Sequence, residues 1–300
     1  MSLTSAANLA QWRPARQSCA RVLGLPILAA ALVLFGFLMP AHASAETLEQ
    51  RIGRLEPHFT VVRPQTPGRT PVVIMMHGCG GPRPFIEAMA AQAAAAGATA
   101  IVVDSYAPRR ISRIAAFATV CTGARLRGRE RAGDLYAALA WARRQSWADA
   151  ERVAAVGWSH GSWTIMDALA LRSGPEMRRA TGLADLSEEP LLGLQRTMLV
   201  YPYANIGSFC GRRDWRLTPA SLAIIAQHDY IVGPTRAALE RQRARGAPIE
   251  IVLFEGATHA FEDEHAEDPR VRYNPAATQR EVQMLRDMIA ALSAPTPPAR

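Results

Sequence analysis

The sequence predicts an α/β fold: a mostly parallel central sheet with helices on both faces. Three observations carry that expectation. Short runs of continuously apolar residues recur along the chain, each followed by a helical or loop segment. Strands that are apolar throughout are buried on both faces, as in parallel sheets covered by helices. A Gly-x-Ser-x-Gly pentapeptide, Gly157-Trp158-Ser159-His160-Gly161, falls between one such run and a helical stretch. A glycine-rich run, His77-Gly78-Cys79-Gly80-Gly81, ends an earlier one.

The elements follow in order. Residues 58–63 are extended and bounded by prolines, and 71–77 (PVVIMMH) form a buried strand. Residues 85–96 are an alanine-rich helix stopped by Gly97, and 99–104 (TAIVVD) are again a strand. Over 129–145 the spacing of Leu135, Ala138, Leu139 and Ala142 puts apolar groups on one helical face. Residues 152–157 are a strand and 160–171 a helix. Strands follow at 197–201 and 221–227. The helix at 234–245 opens on a proline and stops at Gly246. The last strand is 249–254 and the last helix 276–292. The stretch 173–196 lacks a clear strand and reads as a small lid or an ordinary loop. No repeat and no second domain is visible.

The ends carry different signals. Arg13, Arg16 and Arg21 precede an uncharged apolar stretch at 22–39, and Ala41-His42-Ala43 follows it. This is the layout of an export signal cut after Ala43. The competing reading is an uncleaved anchor, for which the stretch is close to the lower limit of about 17–25 residues. Residues 44–292 are then one domain in a periplasmic or secreted protein, and 293–300 a frayed proline-rich tail. A cleaved chain has no stable membrane contact.

The chain has 300 residues, 49% of them hydrophobic and 20% charged, enough for a sizeable core. Its net charge is +8, and all of the positive charge is arginine. The densest cluster, Arg125, Arg127, Arg129 and Arg131, is diluted by Glu130 and Asp134. It reads as a solvated helix start, and nothing in it points to nucleic acid. Cys19 leaves with the signal. In an oxidising compartment two of Cys79, Cys121 and Cys210 can pair. Cys79 belongs to the glycine-rich motif, so the expected pair is Cys121 with Cys210.

The candidate chemistry sits at strand ends, where ligands lie in such sheets. In Gly157–Gly161 the serine occupies a strained strand-to-helix turn that lifts its Oγ clear of the sheet. A serine hydroxyl needs a base. His259 follows the last strand in Gly256-Ala257-Thr258-His259, and Asp229 ends the strand at 221–227. The order Ser159, Asp229, His259 is that of a nucleophile, an orienting acid and a base. Asp263 comes too late to be the acid, and Glu255 is only four residues before His259. The N–H groups of Cys79 and His160 are the expected oxyanion donors. Cys79 then acts through its backbone, a reactive thiol being the alternative, and His77 braces the loop. Trp158 is a candidate for the substrate pocket, whereas Trp163 reads as core. Arg109 and Arg110 are left out of the site. The run Glu262-Asp263-Glu264-His265 reads as a solvated loop rather than a metal site. No metal and no cofactor is expected.

HGCGG at 77–81, VVDSYAPR at 102–109, GWSHG at 157–161, QHD at 227–229 and GATHAF at 256–261 together resemble the dienelactone hydrolase family of α/β-hydrolases. The resemblance spans nearly the whole chain after the signal. It implies an esterase or lactonase with a small lid or none, acting on a small-molecule ester. The founding members carry cysteine as nucleophile. Serine at position 159 favours a general ester over a dienelactone. GWSHG is also similar to secreted polyester hydrolases, but HGCGG lacks the aromatic residue expected in their oxyanion loop. The alternatives are an acyltransferase on the same fold and a binding protein without catalysis. The oligomeric state is not indicated.

Overall fold

A computed structural model describes residues 46–293. The expected export signal at 1–43 and all of the expected tail beyond 293 lie outside the described residues. Seven strands form one sheet: β1 (Phe59–Val62), β2 (Thr70–Met76), β3 (Thr99–Val103), β4 (Ala148–Trp158), β5 (Leu194–Val200), β6 (Ala220–His228) and β7 (Ile249–Thr258). Their order is β1-β3-β2-β4-β5-β6-β7. All pairs are parallel except β1 with β3. The helices are α1 (Leu48–Leu55), α2 (Pro84–Ala95), α3 (Arg113–Thr119), α4 (Gly128–Arg143), α5 (His160–Ala170), α6 (Pro175–Thr181), α7 (Arg236–Ala244) and α8 (Pro275–Ser293).

The central strands are apolar throughout because both of their faces are covered. In β2, Val72, Ile74 and Met76 enter the core under α1, α4, α5 and α6. Val73 and Met75, alternating with them, face the core of α2 and α8. The same alternation separates Val153 and Ala155 of β4 from Ala154, Val156 and Trp158. Both cores are needed to bury one sheet, which gives each helix its apolar side.

The chain leaves β2 towards β3 on one side and later continues from β4 to β7 on the other. The switch point therefore lies between β2 and β4, and in an open α/β sheet the crevice there is the ligand site. Met76 pairs with Gly157 in this ladder. The next residues of the two strands, His77-Gly78 and Trp158-Ser159, are thus brought side by side.

Four expectations change. The stretch 173–196 is no lid: it holds α6, and Met177, Leu183, Leu186 and Leu191 close the core on the α4 and α5 face. Arg131 and Asp134 are not solvated but fully buried. Glu262, expected in a solvated loop, is buried too. The disulfide joins Cys79 to Cys121, with Cα atoms 5.1 Å apart, and Cys210 is free and buried. The expected Cys121–Cys210 pair fails for a spatial reason. Cys210 packs in the α4–α5 core. Cys121 follows α3, which lies against the loop of Cys79, where Val120 and Ala116 pack with it. A disulfide needs Cα atoms within about 7 Å.

Among the described residues no helix is long and apolar enough to cross a membrane.

Candidate active site

Ser159 stands between β4 and α5 with φ 52° and ψ −108°. An L-residue rarely adopts this conformation, and it costs about 1–3 kcal/mol where tertiary contacts impose it. Two glycines make the turn feasible. A Cβ on Gly161 would lie 1.9 Å from the Met76 carbonyl oxygen, and one on Gly157 would lie 2.5 Å from the Gly161 backbone. The Ser159 N–H is held by Val200 O at 2.9 Å.

Strand pairing also assembles the acid and the histidine. The β6–β7 ladder shifts register after Ala226 and resumes with His228 opposite Thr258. Asp229 and His259 are the next residues on these neighbouring strands. Asp229 Oδ2 meets His259 Nδ1 at 2.7 Å. Asp229 Oδ1 accepts the N–H groups of Ile231 and Val232 at 2.9 and 3.1 Å. The carboxylate is thereby fixed in orientation, and its side chain is only 6% exposed.

Ser159 and His259 line one cavity of about 650 Å³ together with Gly78, Cys79, Phe85, Phe117, Trp158 and Tyr201. They are not hydrogen-bonded to each other, which is common in a site without substrate. Among the described residues, three of the five non-glycine residues with positive φ, Ser159, Tyr201 and Ala260, are in this wall. The strained backbone is concentrated where the loops converge.

The loop after β2 has a fixed peptide plane. Gly78 O accepts from His77 Nδ1 at 2.7 Å and from Gly81 N at 3.2 Å. Across a trans peptide the Cys79 N–H points the opposite way. The Tyr106 hydroxyl donates to Cys79 O at 2.8 Å, and the disulfide to Cys121 adds a covalent tie. His160 is the first residue of α5, so its N–H has no intrahelical acceptor.

Arg131 braces both of these segments from below. Its Nη1 donates to His77 O at 2.6 Å and to His160 Nδ1 at 3.3 Å, and its Nε donates to Ser105 Oγ at 2.8 Å. Burial, and then the Arg131 charge, push His160 down to about 3 and His77 well below the ordinary histidine range. Both imidazoles are therefore neutral, and His77 braces the loop. Its Nε2 accepts from Ser105 N at 3.3 Å.

Arg109 does not reach the cavity. It grips Asp134 with two contacts of 2.8 Å, and Arg51 takes the same carboxylate at 2.8 Å. Burial opposes the Asp134 charge, and the two guanidiniums hold its carboxyl below the usual range. Trp158 lies in the cavity wall but is almost wholly buried, and Trp163 is core. Asp263 is bound by Arg83, at 2.9 Å to Nε and 3.0 Å to Nη2. Among the described residues no three His, Cys, Asp or Glu side chains converge as metal ligands.

The motifs did not reveal Tyr201, Arg131, Phe117 and the two glutamates 262 and 281. Tyr201 follows β5 directly, so the strand-end rule that found Asp229 extends to it. Phe117 lies on α3, a short helix without strong periodicity, and had no signal of its own.

Residues 59–182 match the dienelactone hydrolase family, a span that includes Ser159 but ends before Asp229 and His259. No curated relative matches the sequence. Solved structures share the architecture. A provisionally assigned dienelactone hydrolase from Klebsiella pneumoniae subsp. pneumoniae has a TM-score of 0.57 at 18% identity, over 77% of this chain and 92% of its own. A dienelactone hydrolase-like promiscuous phosphotriesterase from metagenomic libraries gives 0.55 at 18%, over 78% and 98%. The propionate-bound esterase Est2 of Thermogutta terrifontis gives 0.54 at 18%, over 80% and 91%. The chain has the α/β-hydrolase fold, and its residues 59–182 match the dienelactone hydrolase family.

Proposed function

We propose that this protein is a carboxylic ester hydrolase working through a Ser-His-Asp triad and an acyl-enzyme. One observation carries the reading: the 2.7 Å Asp229–His259 contact lies at the wall of the same apolar cavity that the strained Ser159 enters. Ser159 Oγ attacks the ester carbonyl carbon while His259 Nε2 takes its proton. Asp229 holds the tautomer that leaves Nε2 free and stabilises the imidazolium. The N–H groups of Cys79 and His160 receive the oxyanion. His259 returns the proton to the leaving alcohol, and water then cleaves the acyl-enzyme by the same route. No cofactor enters these steps.

The cavity wall supports a small ester with an apolar part. Phe85, Phe117, Trp158, Ile231 and Val271 contribute to it, and Arg113 and Arg270 are paired with acidic neighbours. The family match and the esterase neighbours support ester chemistry. Serine as the nucleophile supports a general ester over a dienelactone. The disulfide fits an exported protein, in keeping with the signal-like N-terminus.

Labelling with a fluorophosphonate tests the reading, followed by an ester panel of varied acyl length. The expected result is one label on Ser159 and turnover of short p-nitrophenyl esters, both lost in Ser159→Ala. Full turnover by that variant would overturn the assignment. Product transfer to an added alcohol outrunning hydrolysis would make it an acyltransferase instead.

A further inference from the structure

Two carboxyl groups lie behind the site, and the reaction above does not use them. Glu262 follows β7 by four residues and Glu281 is on α8; both are buried. Each has one oxygen engaged by a neutral donor. The Tyr201 hydroxyl donates to Glu262 Oε2 at 2.9 Å, and the Trp158 indole N–H donates to Glu281 Oε1 at 2.9 Å. The other two oxygens, Glu262 Oε1 and Glu281 Oε2, are buried without any donor.

Two adjacent buried carboxylates, each with an unsatisfied oxygen, would repel strongly. A single proton between them satisfies both oxygens and removes one charge. Burial pushes both groups up, and Glu281 goes well above the carboxylate range because Glu262 faces it. Both carboxyl groups are thus pushed towards the protonated form, Glu281 the further of the two.

The pair touches the candidate triad on two sides. Trp158 immediately precedes Ser159. The Tyr201 ring packs on the His259 imidazole with centroids 4.5 Å apart. Tyr201 is held at φ 33°, so its hydroxyl anchor on Glu262 helps fix a strained residue.

We propose that Glu262 and Glu281 are a proton-sharing positioning pair, which seats Trp158 and Tyr201 and keeps one negative charge behind His259. The proposal rests on the reading of His259 as the base. The groups facing His259 are Asp229 after β6, Tyr201 after β5, and Glu262, Asp268 and Arg270 from its own loop. Asp268 is neutralised by Arg270 in contacts of 2.6 to 3.2 Å. The Glu262 charge favours the imidazolium that forms when Ser159 loses its proton, and the pair itself exchanges no proton with substrate.

The test uses the whole enzyme, a short p-nitrophenyl ester and infrared spectroscopy. Removing the charge in Glu262→Gln should move the acid limb of kcat/KM to lower pH by roughly 0.5–1 unit, a displacement that lost packing alone does not give. An unmoved limb overturns the proposal. Glu281→Ala should lower kcat by roughly tenfold to a hundredfold, and Glu281→Gln, which presents the same donor and acceptor, should restore it. Equal losses in the two variants overturn it.

Infrared difference spectra should show a protonated carboxyl C=O band at neutral pH that disappears in Glu281→Gln. Absence of the band in the wild type overturns the proposal even if Glu262→Gln does not fold. Failure of the wild type to take the fluorophosphonate would instead strike the serine-hydrolase reading and leave the infrared result standing.

Discussion

Asp229 and His259 meet at 2.7 Å because they are the next residues after a paired position, His228 opposite Thr258, on adjacent parallel strands. The hydrogen bond is thus set by the sheet register and not by loop chance. Asp229→Asn should preserve the fold, since the Asn carbonyl can still accept from Ile231 and Val232. It should lower kcat by about 10⁴-fold, because the amide no longer holds the required histidine tautomer. Steady-state kinetics beside a thermal melt will show whether activity falls without stability.

The disulfide ties the Cys79 loop to the end of α3, whose Phe117 lines the cavity. Its closed loop spans a sequence separation of 42 residues. Cys121→Ser should cost about 2–4 kcal/mol in denaturant unfolding. It should also lower kcat, because the peptide carrying the Cys79 N–H loses its covalent tie. Intact mass after alkylation without reductant should show no free thiol at Cys79 or Cys121. Free Cys79 and Cys121 thiols would refute the pairing.

His160 supplies a stability prediction with a definite sign. Its folded-state value is depressed to about 3 from an unfolded value of 6.5. Below 6.5 the unfolded chain binds a proton that the folded chain refuses, so stability falls as pH drops through that window. The loss assigned to His160 is about 2 kcal/mol between pH 6.5 and 5. Urea melts across this range should be flatter by that amount in His160→Gln, which can still accept from Arg131. An equally steep fall in the variant would contradict a neutral buried imidazole.

Gly161→Ala would place a methyl group 1.9 Å from Met76 O, a backbone atom with no freedom to withdraw. The variant should lose more than about 3 kcal/mol or fail to fold. Gly246→Ala, whose Cβ meets nothing within 4 Å, is a useful contrast. There the φ of 96° alone is at issue, and a loss of about 1 kcal/mol is expected. Circular dichroism and melting temperatures of the pair separate steric overlap from backbone strain.

The sheet, its mostly parallel strands and the strand-end residues Ser159, Asp229 and His259 were legible because each rests on local pattern: apolar runs, a Gly-x-Ser-x-Gly turn, a polar residue just after a strand. Glu281 had a latent signal as well. It shares the buried stripe of α8 with Ala277, Leu285 and Ile289, at helical spacing, so an acid occupies an apolar position. The pairing of Cys79 with Cys121 was not legible, since sequence spacing does not say which loops meet.

By itself the sequence determined the fold class, the strand-end positions of the candidate residues Ser159, Asp229 and His259, and a likeness to the dienelactone hydrolase family, because periodicity and turn chemistry are properties of neighbouring residues. The tertiary structure alone decided that Arg131 is buried under the His77 loop, that Asp229 and His259 are in contact, that α3 and not residues 173–196 lines the cavity, and that Glu262 faces Glu281. Each of these depends on packing between elements far apart in the chain. Burial then changes what the side chains can do: it disfavours the charged forms of His77 and His160 and pushes Glu262 and Glu281 towards the protonated form.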